Sequence, residues 1–163
     1  MIFTLGQYII DIDIERTRAF YREHGVSFAE ICGCSDCINY VKAIKTAPPS
    51  VLDFFDSLGV DLCKAPEMFN VIGDYDANGL IYYEGFFHLV GEILEGEDAW
   101  ETGEVREDGS YTEHVKESCL HQLAPNFQIA FSHKENLLEE GFPDPHIQME
   151  VFFHLPWILN ENK

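Results

Sequence analysis

The last part of the chain has the least freedom in what it can become. From Ile147 to Trp157 an apolar residue falls at every second position: Ile147, Met149, Val151, Phe153, Leu155 and Trp157, with Gln148, Glu150, Phe152 and His154 between them. Successive side chains of an extended strand point to opposite faces, so a period of two gathers the first six on one side of a sheet. A helix would scatter them. The same period recurs over residues 80 to 94, where Ile81, Tyr83, Phe87, Leu89 and Ile93 share a face, and residues 127 to 133 supply a third apolar run. Asn78-Gly79, between apolar and aromatic runs, predicts a hairpin into the 80–94 strand. Residues 111 to 121 lean towards strand.

Before residue 60 the period is different. Residues 8 to 14 begin apolar and then alternate, which predicts a short half-buried strand. Residues 15 to 24 favour helix, with Ile14, Thr17, Phe20 and Tyr21 spaced to share a face and Gly25 as the stop. Val26 to Ile31 reads as a short apolar run. Cys37, Ile38, Val41 and Ile44 recur at helical spacing, with Ser35 or Asp36 as the expected N-cap. A further helix over 50–58 lies between Pro48-Pro49 and Gly59. No repeat or linker divides the chain, so the expectation is one α+β domain over residues 1–163: N-terminal helices packed on a mainly antiparallel β-sheet formed by the C-terminal two thirds.

Charge narrows the range of partners. Ten Lys and Arg against 29 Asp and Glu leave a formal charge of −19 over 163 residues, while 46% apolar and 13% aromatic content marks a chain with a core. Phosphate backbones and anionic lipid surfaces both demand a basic face, so neither nucleic acid nor a membrane is an expected partner. Residues 92 to 109 hold eight carboxylates and one cation, Arg106. This stretch reads as an exposed hairpin tip or loop.

The sharpest chemical feature is Cys32-Gly33-Cys34-Ser35-Asp36-Cys37. A C-x-x-C turn at a helix start points two thiolates at a common centre, and a third cysteine two residues upstream can fill another corner of a Zn²⁺ tetrahedron. His24, Cys63, Cys119 and His121 are the fourth-ligand candidates. The same turn followed by a helix is part of a thioredoxin pattern, although the strand expected between the helix and Pro66 is missing and Asp36 should raise a neighbouring thiol's pKa. The plainest alternative is structural: a buried Cys37 beside two idle thiols. Five cysteines, three of them within six residues, suit a reducing compartment, and the N-terminus lacks a basic and apolar leader, so the expected location is the cytoplasm.

Other motifs carry less. Asp74-x-Asp76-x-Asn78-Gly79 matches the first half of an EF-hand loop, but position 85 is Gly where that loop needs Glu. His114, Glu117 and His121 would share a side only on a helix. Phosphate-loop, dinucleotide, serine-hydrolase and zinc-protease motifs are missing.

Cys32-Gly33-Cys34-Ser35-Asp36-Cys37-Ile38-Asn39-Tyr40, the Asn78-Gly79-Leu80-Ile81-Tyr82-Tyr83 hairpin and the closing Val151-Phe152-Phe153-His154-Leu155-Pro156-Trp157-Ile158-Leu159 together resemble a family of small, acidic, uncharacterised bacterial proteins. The resemblance implies a bacterial cytoplasmic protein and brings no activity with it. From the residues alone, two functions are expected. One is a non-catalytic binding protein that engages a basic protein partner through its acidic surface, as immunity or inhibitor proteins do, with Glu95, Glu97, Asp98 and Glu101 as contact residues. The other is a Zn-binding or thiol-redox protein centred on Cys32, Cys34 and Cys37.

Overall fold

A computed structural model describes residues 1–24, 27, 30, 32–75 and 78–160, and for 71–75 the backbone alone. Among the described residues, three α-helices stand out in the N-terminal part: α1 (Ile14–Glu23), α2 (Ser35–Ala43) and α3 (Pro49–Leu58). They are followed and preceded by strands: β1 (Ile2–Leu5), β2 (Tyr8–Ile12), β3 (Glu67–Tyr75), β4 (Ile81–Glu95), β5 (Trp100–Val105), β6 (Tyr111–Val115), β7 (His121–Ala124), β8 (Phe127–Ser132) and β9 (His146–Leu155). Most of the expected Val26 to Ile31 run, and Asp76 of the EF-hand-like segment, lie outside the described residues.

Seven strands form one sheet in the order β1-β2-β4-β9-β8-β7, with β3 also paired to β4, and β5 and β6 form a separate two-stranded hairpin. Every pairing is antiparallel. The long strand β4 organises the sheet. Its residues 81–90 pair with β9, while the opposite edge takes β3 at its start and β2 at its end. The α+β reading is therefore correct.

The helices cover the face that the alternation marks. Phe55 of α3 meets Phe87 and Phe153 edge-on at 5.7 and 5.9 Å, and Tyr40 of α2 meets Tyr83 at 5.6 Å. Such pairs contribute about 0.5–1.5 kcal/mol each beyond their burial. Gly59 closes α3 with φ +79°, and a Cβ there would stand 2.7 Å from the Ile14 carbonyl oxygen, so α1 and α3 meet through a glycine.

The other face is not left to solvent. Gln148 and Glu150, which alternate with the core residues of β9, are 0% and 3% exposed, as are His88 (1%) and Ser132 (0%). The β5–β6 hairpin reaches this side: the Trp100 indole N–H donates to Glu150 at 2.7 Å. Residues 92–109, expected as a loop or hairpin tip, are the end of β4 followed by most of this hairpin.

Candidate functional site: a three-cysteine cluster

Cys34 occupies the cap position of α2 (φ −76°, ψ 161°), so the helix begins at Ser35; the expected cap at Ser35 or Asp36 is one or two residues late. Gly33 lies between the first two cysteines at φ +68°, a left-handed conformation that an L side chain adopts only at a cost. This turn and the first helical turn bring the three sulfurs together. The Sγ atoms of Cys32, Cys34 and Cys37 all lie within 4.8 Å of one another, and Cys34 and Cys37 are 3.2 Å apart.

The helix is held over the sheet by buried polar contacts. The Tyr83 hydroxyl donates to the Asp36 carbonyl (3.2 Å). Asn39 is fully buried; its Nδ2 donates to the Tyr83 hydroxyl and to the Pro156 carbonyl, each at 3.1 Å, and its Oδ1 accepts from the Ile158 N–H at 2.8 Å. The segment after β9 is thereby tied to the helix that carries the cysteines.

The three thiols are electrostatically unequal. Backbone N–H groups at the helix start, that of Cys37 foremost, face the Cys34 sulfur and hold its pKa below the usual thiol value, although no full capping hydrogen bond closes. Burial pushes Cys37 far up, and its sulfur neighbours Cys34 and Cys32 push the same way. Cys32 and Cys34 are exposed and Cys37 is buried. A thiolate on Cys34 can thus accept the S–H of Cys37. All five cysteines are free.

None of the four expected fourth ligands joins this trio among the described residues. His24 stacks on Phe20 with centroids 4.7 Å apart. Cys63 is half-buried with a raised pKa, again from burial. Cys119 is buried, with its sulfur 3.9 Å from the Asp98 carbonyl, and His121 lies against Gly6. His114, Glu117 and His121 fall on β6, a 3-10 turn and β7, and form no metal-sized group.

The four acidic residues expected to meet a partner are differently placed. Glu95 is exposed at the end of β4. Glu97 pairs with Lys116 (3.1 Å) and Glu101 with His114 (2.9 Å). Asp98 accepts from the N–H of Trp100 and of His133 and sits 2.9 Å from the His133 ring; these donors outweigh its partial burial and lower its pKa. Three of the four carboxylates therefore have partners within the chain.

A scan against protein-family models finds no match, and neither do searches of curated proteins and of solved structures. Among the described residues no helix is long and apolar enough to cross a membrane. Three cysteines close enough to hold a metal ion are the chemical feature that stands out.

Proposed function

We propose that this is a thiolate metal-binding protein whose Cys32, Cys34 and Cys37 hold Zn²⁺. The mutual approach of three sulfurs to within 4.8 Å supports the reading. A tetrahedral zinc with Zn–S bonds of about 2.3 Å sets its sulfurs about 3.8 Å apart, so small side-chain adjustments suffice. The donor chemistry also fits, because thiolate is the ligand zinc takes most readily and Cys34 is already inclined to lose its proton. A bound cation would draw Cys37 down from its raised value. Three protein ligands leave the fourth position to water or another small ligand, and two exposed cysteines keep that side open to solvent.

Elemental analysis of protein purified without chelators should give about one equivalent of zinc per chain, and Cys37→Ser should abolish it. Metal below about a tenth of an equivalent, with Cys32 and Cys34 freely titratable by a thiol reagent, sinks the zinc reading. A Cys34–Cys37 disulfide formed reversibly on oxidation of such protein would assign the pair to redox chemistry instead.

A second reading, an acidic cytoplasmic binding protein for a basic partner, is supported by the tip of the β5–β6 hairpin. Here Glu104, Glu107 and Asp108 are exposed around a cross-strand pair, Val105 and Tyr111, that is 68% and 58% exposed. An aromatic anchor among three carboxylates and one cation, the exposed Arg106, presents a net negative charge that suits a cationic surface. The contact set then shifts from Glu97, Asp98 and Glu101, which have partners, to this tip and Glu95.

A further inference from the structure

On the sheet face opposite the helices, a cavity of about 390 Å³ opens between the sheet and the β5–β6 hairpin. This is within the size range of small-ligand sites. A wider, more open depression of about 720 Å³ beside Met1 and α1 is edged by charges that pair with one another, Arg18 with Glu15 and the Met1 amine with Asp11. The smaller cavity is different. Strand pairing builds its floor as a row across four strands: Phe69 opposite Glu84, Glu84 opposite Phe152, and Phe152 opposite Gln128. Directly paired residues project to the same face, so a carboxylate stands between two aromatic rings.

At the adjacent position of β9 lies Glu150, only 3% exposed. Its Oε1 accepts from the Trp100 indole (2.7 Å), the Ser132 hydroxyl (2.8 Å) and the Gln148 amide (2.8 Å), donors drawn from three strands. Those bonds fix the carboxyl beside the cavity, which Trp100 walls. Among the described residues no Lys or Arg lines this space, and a neighbouring cation, the Lys134 ammonium, stands 5.3 Å over one face of the Trp100 ring. Glu113 on the rim is answered by Lys134 at 2.6 Å, and His114 by Glu101. Among the described residues, Glu84 and Glu117 have no ionic partner. Nor do three of these acids converge closely enough to share a metal ion. An anionic, aromatic-walled space whose carboxylates are spread out is complementary to an extended cation with an apolar body, since both charge and the ring faces attract it.

We propose that this cleft is a binding site for an organic ammonium ion, with the apolar body against Phe69, Trp100 and Phe152 and the cationic end towards Glu84, Glu117 and Glu150. The site is independent of the cysteine cluster, on the far side of the sheet. Benzyltrimethylammonium and phenethylammonium are suitable probes, with 3-phenylpropanol and phenylacetate as neutral and anionic controls of similar body. Binding is read from ¹⁵N–¹H spectra at about 0.15 M salt, where diffuse surface attraction is screened. The Trp100 indole signal is identified by its persistence in Trp157→Phe. Saturable shifts of that signal with the two cations, at a Kd of about 1 mM or below, and none with the controls, are expected. Glu84→Gln with Glu117→Gln, which leaves the Glu150 network intact, should weaken binding about fivefold or more. Equal shifts with the neutral control, shifts that never saturate, or an unchanged Kd in the double variant would overturn the proposal.

Discussion

His88 shows how much one side chain can owe to its surroundings. It is 1% exposed, its Nε2 has no hydrogen-bond partner among the described residues, and its ring meets those of Phe86 and Phe142 at 5.7 and 5.6 Å. Burial lowers its pKa to about 4, with His146 adding in the same direction and Gln148 opposing. The folded protein therefore keeps it neutral where the unfolded chain, titrating near 6.5, takes up a proton. The unfolded state binds the extra proton between about 6.5 and 4, so the His88 penalty is absent above that range and grows as pH falls through it, to about 3 kcal/mol. Glu150, raised by burial, acts with the opposite sign above its unfolded value and offsets part of this loss. Urea unfolding from pH 8 to 4.5 should show stability falling below pH 6.5, and His88→Phe should flatten the fall. An equally steep fall in the variant would assign it to other groups.

At the scale of elements, α2 depends on contacts far away in sequence. Asn39→Ala would leave the Tyr83 hydroxyl, the Pro156 carbonyl and the Ile158 N–H each short of a partner. The expected cost is about 2–4 kcal/mol, measured by denaturant unfolding, because buried groups left unpaired lose water without replacement. Loss at the helix start should reach the cysteines as well, so zinc content should drop in the same variant. Gly33→Ala tests the turn itself. Nothing lies within 4 Å of an added Cβ, so the penalty is conformational alone, about 1–2 kcal/mol. Stability reduced by that amount only in the metal-loaded protein would show that the turn matters through the metal it helps to hold.

For the whole molecule, the governing electrostatic effect is self-repulsion. A formal charge of −19 is partly relieved by local pairs such as Glu97–Lys116 and Lys134–Glu113, and carboxylates at the hairpin tip remain exposed. Raising salt from about 0.01 to 0.2 M shortens the Debye length from about 30 Å to under 10 Å and should raise the melting temperature. A melting temperature that falls with salt would mean that the ion pairs outweigh the repulsion. Neutralising Glu104, Glu107 and Asp108 should reproduce part of the gain at low salt, while Asp98→Asn should destabilise, since Asp98 ties β5 to the residue after β8.

Local pattern determined the elements. The alternation over 147–157 is a property of strand geometry, and its core side chains Ile147, Met149, Val151, Phe153 and Leu155 are buried as the period requires. Gly59 and Pro49 mark the ends of α3 for equally local reasons, and the spacing of Cys34 and Cys37 suffices to bring their sulfurs together across one helical turn. Tertiary structure decided what lies outside any local window. Periodicity separates the faces of β9 but is silent on whether the second is covered, and it is the hairpin's Trp100, fifty residues away in sequence, that helps to bury Glu150. Likewise the acidic run reads as one patch in sequence, while chain folding assigns Glu97, Asp98 and Glu101 to partners on other segments. Ion pairing and burial depend on which segments meet, and that is settled by the long-range pairing of strands.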